Sequence, residues 1–287
     1  MTTSTAATRW RAGPRGATAV TGALLLAALV TWVVTAERMR GMDAGPGTDL
    51  GGLGWFLGVW VTMMAAMMLP SAVPMVTVVH RVSAERPGGT AGPETATTAF
   101  VAGYLAAWTA YGLVAYGVFR AVVTLDPAFL AWDRQGPLVA GAAVAAAGLY
   151  QLTPLKRACL RRCRTPLHWV MHRWRPGARG ALAMGAEHGA WCIGCCWARM
   201  VVLFALGAMS IAWMALVAAL VLVEKVLPRG ERLATAVAAV LLVLGVWTAV
   251  ASSSVPWLTS PGSAAMPAMM DGHEPAMMDG HDGSMAP

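Results

Sequence analysis

The chain has 287 residues, of which 57% are hydrophobic and 12% charged, with a mean hydropathy of +0.58 and a formal net charge of +7. About a quarter of the residues of a soluble domain are charged, so this composition excludes an ordinary soluble protein and predicts an all-α, polytopic bundle in a lipid bilayer. The basic excess is concentrated near the middle of the chain, where it would meet anionic lipid, and it requires no nucleic acid.

Apolar runs long enough to form membrane-spanning helices follow one another along the chain. A span needs about 20 apolar residues. The single candidates are 17–36, 51–79, 99–123, 137–152 and 233–251. Residues 181–223 form one apolar stretch of about twice that length. Within it, Gly207 is suited to end one helix and Ser210 to cap a second that begins at Ile211. We therefore predict seven transmembrane helices, or six if this stretch is not divided.

The positions of Lys and Arg favour seven spans with the N-terminus in the cytoplasm, because cytoplasmic loops retain positive charge. The predicted organisation is a cytoplasmic leader (1–16), a transmembrane domain (17–251) with a basic cytoplasmic loop (153–180), and an extracytoplasmic tail (252–287). Alternatively, the N-terminal segment is a signal peptide with a loose cleavage site at 34–36. The predicted location is the plasma (inner) membrane, which the chain crosses several times.

The second predicted span has a methionine face. Its four methionines stand at i, i+1, i+4 and i+5, which places them on one side of a helix. They are Met63, Met64, Met67 and Met68. Pro70 and Pro74 interrupt the regular helical hydrogen bonding just beyond this face. Thioether sulfur is a soft ligand that suits Cu(I), whereas the alternative is that these side chains simply pack.

The basic segment after the fourth predicted span contains two cysteines and two histidines. Cys159 and Cys163 are one helical turn apart. His168 and His172 are also one turn apart, and Pro166 would bend the chain between the two pairs. Thiol and imidazole groups bind zinc and copper, so the four are candidates for a second, cytoplasmic metal site. The alternative is two reduced thiols in a segment at the membrane surface.

The fifth predicted span holds a cluster of cysteines and a histidine that share a helix face. They are His188, Cys192, Cys195 and Cys196. An ionisable residue in a membrane segment indicates function, and neighbouring thiols add metal or redox chemistry. The alternative, that these cysteines are ordinary small apolar residues, explains neither their number nor the histidine. Arg199 lies on roughly the same face, where we expect it to pair with a thiolate or with Glu187.

The predicted disordered tail contains an eight-residue unit that occurs twice, at 267–274 and 275–282. Its candidate ligands are Met269, Met270, His273, Met277, Met278 and His281. Thioethers suit Cu(I) and imidazoles suit Cu(II). The tail has no amphipathic period, so packing in a helix does not explain these methionines. The alternatives are low-complexity drift or a general His-rich metal scavenger.

Several ordered blocks of the chain resemble one bacterial family of predicted metal-binding integral membrane proteins. The blocks are MMAAMMLPSAVPM (63–75), YQLTPLKRACLRRCRTPL (150–167), HRWRPG (172–177), GAEHGAWCIGCCWARM (185–200), GAMSIAWM (207–214) and EKVLP (224–228). This family, a domain of unknown function, is likened to copper chaperones for tyrosinase-type enzymes. The resemblance covers about residues 55–245, and it implies delivery of copper to an extracytoplasmic copper enzyme. Arg199 and Ser210 depart from the family pattern, which has an apolar residue and Asn there.

These features favour a membrane copper-binding protein that is not an enzyme. Cu(I) is the preferred ion, and zinc is a second candidate ion for the basic segment. The expected partners are copper ions, the lipid bilayer and an extracytoplasmic copper enzyme. One alternative is a membrane thiol-disulfide oxidoreductase that uses the cysteine pairs. Another is a membrane scaffold whose sulfur groups have no function.

Overall fold

The computed structural model describes residues 13–39, 51–86, 92–125, 136–206, 211–227 and 230–251. Every regular element within these residues is an α-helix. In chain order they are α1 (Gly13–Met39), α2 (Leu53–Glu85), α3 (Pro93–Leu125), α4 (Gly136–Gln151), α5 (Pro154–Arg164), α6 (Pro166–Arg173), α7 (Gly177–Leu206), α8 (Ile211–Val226) and α9 (Gly230–Ala251). The predicted all-α class is confirmed for this part of the chain. The predicted tail, and all but the end of the predicted leader, lie outside it.

Four helical segments are long and apolar enough to cross a membrane, which is fewer than the seven predicted. They are 16–39, 53–85, 93–122 and 232–251. A fifth candidate is α4 together with α5, although the two helices are bent by 62° at the break between them. Helix α7 carries Glu187, His188 and Arg199 within its length, and α8 has 16 residues. The described residues therefore support four or five of the predicted spans.

The long apolar stretch at 181–223 is divided into two helices, as predicted. The first, α7, ends at Leu206, and the second, α8, begins at Ile211. The residues predicted to end and cap these helices, Gly207 and Ser210, lie outside the described residues.

The basic segment predicted as a loop forms two short helices that enter the protein core. Thr153 caps α5 by accepting a hydrogen bond from the Lys156 backbone N–H at 3.3 Å, and Pro154 follows at the first helical position. Pro166 likewise occupies the first position of α6, which has no side-chain cap. The buried residues of these helices are Lys156, Cys159, Leu160, Trp169 and Val170. One side of α5 faces the other helices, which agrees with the amphipathic pattern of its sequence. The same packing brings its cysteines toward α7.

The central helix is α2. About two thirds of its most apolar 18-residue segment is buried inside the protein. It packs against α1 and α3, and it also contacts α6 and α8. Two further close pairs complete the bundle, since α7 packs along α3 and α4 packs along α9. This arrangement places α7 between α3, α4 and α5.

Glycines allow the close approach of α7 to α3. A Cβ atom at Gly103 would collide with the backbone oxygen of Leu182 and would lie 2.9 Å from the Ala186 backbone nitrogen. A Cβ atom at Gly189 would lie 2.7 Å from that of Ala107. Small residues at such contacts let helix backbones approach closely, which is the main source of packing between helices in membranes. The position of α7 relative to α3 therefore depends on these missing side chains.

Replacing Gly103 with alanine is expected to destabilise the protein, although alanine is the better helix former. The added methyl group forces α3 and α7 apart, and overpacking of this kind costs about 1–3 kcal/mol. The control is Gly117→Ala on the same helix, where an added Cβ meets no atom within 4 Å. Thermal unfolding of the two variants in detergent should show a lower midpoint for Gly103→Ala only. Equal midpoints would mean that the α3–α7 contact is not close.

Candidate metal centre

Three cysteines on α7 form a buried group, called here the thiol cluster: Cys192, Cys195 and Cys196. Their sulfur atoms all lie within 4.8 Å of one another. The exposed fraction is 0% for Cys192 and 1% for each of the other two. Residues three and four positions apart share a helix face, which explains why this spacing brings the thiols together. Among the described His, Cys, Asp and Glu residues, this is the group with the proximity needed to hold a metal ion.

Residues from three other helices surround the Cys192 sulfur. The Tyr104 hydroxyl on α3 is 3.0 Å from it. The Lys225 Nζ on α8 donates to it at 2.9 Å and also donates to the Ser71 Oγ on α2 at 3.0 Å. A cation this close stabilises a thiolate, which is the form of cysteine that binds metals. Cys192 is therefore the point at which α2, α3, α7 and α8 meet.

Cys163 approaches the thiol cluster from α5. Its side chain interacts with those of Cys192 and Cys195. Unlike the three thiols of the cluster, Cys163 is only partly buried, and it packs against the core that contains them. The sequence analysis placed Cys163 in a separate site, because the contact between α5 and α7 is not visible in the spacing of residues.

His188 lies one helical turn before Cys192 and is 3% exposed. Its ring is stacked on that of Tyr104, with 5.8 Å between ring centroids, and Trp169 contacts it edge-on at 5.6 Å. Its Nδ1 atom is buried and has no hydrogen-bond partner among the described residues. A buried imidazole nitrogen without a partner is unfavourable, and a bound metal ion would satisfy it. The donor set around α7 therefore suits a soft metal ion.

A group of buried charges lies on the adjacent turns of α5, α7 and α8. Glu224 forms ion pairs with Lys156 and with the Arg199 Nη2, the latter at 2.6 Å. Arg199 also donates to the Gln151 side chain at 3.3 Å. The expected pairing of Arg199 with a thiolate or with Glu187 is wrong. Glu187 is instead near Arg173 and Arg175, at 3.5 and 3.6 Å.

Glu224 and Lys225 are the functional residues that the sequence analysis missed. Both are buried, with exposed fractions of 1% and 8%. The sequence could have indicated them, because an acidic and a basic residue stand together directly after the apolar stretch 181–223. Their charges made a loop the expected location. Because α8 continues to Val226, both side chains remain within the helix and point into the core.

The methionine face of α2 is buried in the same core as the thiol cluster. The exposed fractions of its members are 7% for Met63, 0% for Met64, 1% for Met67 and 0% for Met68. Ser71, one turn beyond this face, bonds to Lys225 and so links α2 to the cluster. Burial of this kind agrees both with packing and with a path of thioether ligands.

The structure does not bring together the four residues of the predicted second site. The Cys159 sulfur lies against Gly194, where an added Cβ atom would be 2.7 Å from it, whereas Cys163 contacts the thiol cluster. His168 and His172 are exposed on α6, with 4.1 Å between their ring centroids. The predicted tail ligands lie outside the described residues: Met269, Met270, His273, Met277, Met278 and His281.

Comparison with known proteins identifies one family. A family model described as "PpoB2: Copper chaperone" matches residues 57–248. No curated protein and no solved structure matches the chain. The matched range contains the thiol cluster, Cys163, His188 and Lys225. A copper chaperone is a metal carrier rather than an enzyme, which agrees with the prediction from sequence. Because the match covers well over half of its residues, the chain belongs to the PpoB2 family of copper chaperones.

Proposed function

We propose that this protein is a membrane copper chaperone that holds Cu(I) at Cys192, Cys195 and Cys196 and supplies it to an extracytoplasmic copper enzyme. The observation that carries the proposal is the proximity of the three buried sulfur atoms, all within 4.8 Å of one another. Thiolates are soft ligands that select Cu(I), and a buried site protects the bound ion from water and oxidants. The four or five candidate spans support placement in a membrane.

The buried charges favour a monovalent ion at the thiol cluster. Three thiolates and one Cu(I) carry a formal charge of minus two. Lys225 contributes one positive charge beside Cys192, and Lys156, Arg199 and Glu224 contribute one net positive charge behind it. Buried charges are costly unless they are compensated, and this sum is neutral. With a divalent ion such as Zn²⁺ the same ligands would leave one positive charge uncompensated.

The remaining candidate ligands extend the site along the protein. His188 offers its buried Nδ1 atom beside the cluster. The methionine face of α2 supplies thioethers within the same core, and the Met/His tail captures copper outside the membrane. Thioethers bind Cu(I) more weakly than thiolates do, so copper would pass from the tail and the methionine face toward the cysteines.

Metal analysis of the purified protein tests this proposal. The wild-type chain, a variant with Cys192, Cys195 and Cys196 changed to serine, and a variant ending at Ser260 are loaded with Cu(I) under reducing conditions. We expect the cysteine variant to lose about one copper ion per chain together with the absorption of copper–thiolate bonds. The shortened chain should keep both and lose only the copper held by the tail. A wild-type protein that retains no copper would contradict the proposal.

A further inference from the structure

The thiol cluster is enclosed by protein. Its three sulfurs belong to residues that are at most 1% exposed, and α2, α3 and α8 contribute side chains around Cys192. A copper ion carried by another molecule cannot exchange directly with ligands that the donor cannot touch. Transfer by ligand exchange therefore needs a further ligand that reaches both the surface and the cluster.

Cys163 meets both requirements. Of the five cysteines in the chain it alone is not buried, and its side chain packs against the core that contains the thiol cluster and interacts with Cys192 and Cys195. It lies in the last turn of α5, one residue before the end of that helix. Cys163 therefore lies between the surface at the junction of α5 and α6 and the buried thiol cluster.

The end of α5 is held in place on both sides of Cys163. The Arg162 guanidinium lies over the Trp191 ring on α7, 3.6 Å from its centroid. The Arg164 Nη2 donates to the Leu227 backbone oxygen at the end of α8, at 2.6 Å. These contacts come from the residues immediately before and after Cys163. They fix the thiol beside the cluster rather than leaving it free to turn toward solvent.

We propose that Cys163 is the ligand through which the thiol cluster exchanges copper with carriers at the surface beside α5. This proposal rests on the copper function proposed above. The exchange involves no change of oxidation state. A copper–sulfur bond forms to Cys163 as one bond to the donor breaks, and the Cys163 proton passes to the released donor ligand. A cluster thiol then binds copper and gives its proton to the departing Cys163 sulfur, and each further cluster thiol that binds copper releases its proton to the solvent.

The surface around Cys163 indicates the chemistry of the molecule that exchanges copper with it. Arg157, Arg161 and Arg162 are exposed on α5, and Arg164 is partly exposed. A positive surface raises the local concentration of anions and speeds their association. The expected donor or acceptor is therefore an anionic Cu(I) complex. In the predicted seven-span topology this face is cytoplasmic and lies opposite the Met/His tail.

The test compares Cys163→Ser with Cys159→Ser in the full chain. Both positions are on α5 one turn apart, but the Cys159 sulfur lies against Gly194. Copper is supplied as its anionic bathocuproine disulfonate complex, without oxygen. At each time point the copper donor is removed by gel filtration, and loading is measured by the ultraviolet absorption of copper–thiolate bonds, to which the cysteine-free tail does not contribute. Because a serine hydroxyl is a poor ligand for Cu(I), we expect Cys163→Ser to load about tenfold or more slowly with an unchanged final copper content. Cys159→Ser should match the wild type in both measurements.

A second measurement uses the wild-type protein without copper. Brief treatment with iodoacetamide and peptide mass analysis should show that Cys163 reacts before the cysteines of the cluster. Equal labelling of Cys163 and Cys192, or an unchanged loading rate for Cys163→Ser, would overturn the proposal. A lower final copper content in Cys163→Ser would make this residue a permanent ligand, which also overturns it but leaves the copper function intact. The proposed copper function itself would be contradicted by a wild-type protein that retains no copper.

Discussion

Replacing Glu224 with glutamine is expected to lower the free energy of unfolding by about 3–5 kcal/mol, the usual effect of removing one partner from a buried ion pair. Glu224 is the shared partner of Lys156 and Arg199, and all three side chains are almost completely buried. The amide of glutamine can accept a hydrogen bond from one of these cations, but it cannot neutralise either. Two positive charges would then lie in the core without compensation.

The matched control for this substitution is Glu187→Gln. Glu187 also has two basic neighbours, Arg173 and Arg175, but it is 22% exposed and both arginines are about half exposed. Exposed ion pairs contribute about 0–1 kcal/mol, so this variant should unfold almost as the wild type does. Denaturant or thermal unfolding in the same detergent measures both. Similar losses in the two variants would mean that the Glu224 group is hydrated rather than buried.

Replacing Lys225 with methionine should weaken Cu(I) binding by about tenfold to a hundredfold, since a hydrogen bond to a charged group contributes about 1.5–3 kcal/mol. Lys225 donates to Cys192 at 2.9 Å. Copper binding deprotonates the cluster and places a complex of charge minus two beside the ammonium group of Lys225. The interaction is therefore stronger in the loaded protein, and its removal favours release of the ion.

Two further variants separate charge from packing at this position. Lys225→Arg retains the positive charge and should recover part of the affinity. Arg232→Met removes the same charge from an exposed position on α9 and should leave binding unchanged. Competition with Cu(I) chelators of graded strength gives the dissociation constants. If Lys225→Met binds copper as tightly as the wild type, the buried charges do not balance the copper complex.

The local features of the site could be predicted from sequence because a helix fixes them. The spacing of Cys192, Cys195 and Cys196 places three thiols on one face wherever the segment is helical, and α7 is helical throughout this region. The described residues of the long apolar stretch belong to two elements, α7 and α8, and the residues predicted to divide it, Gly207 and Ser210, lie outside the described residues. The family resemblance was confirmed over residues 57–248.

The contacts between helices could not be predicted in this way. Cys163 reaches the cluster because α4 and α5 meet at a sharp bend, which turns a basic segment back into the protein. The positive-inside rule places a Lys residue at the end of a span in a cytoplasmic loop. Lys225 instead lies within α8 and is buried in the core. The number of spans stays a prediction, because the described residues support four or five of the seven.

The contact between Gly194 and Cys159 has a consequence for how this protein can evolve. Gly194 lies between Cys192 and Cys195, and its backbone oxygen accepts a hydrogen bond from the Tyr150 hydroxyl at 2.5 Å. A methyl group at this position would push against the Cys159 sulfur and displace α5, and Cys163 would move with it. A change of a single codon at Gly194 would thus alter the reach of a thiol that is 31 positions away in the sequence. Gly194 and Cys159 thus share a space that neither residue can enlarge without displacing the other.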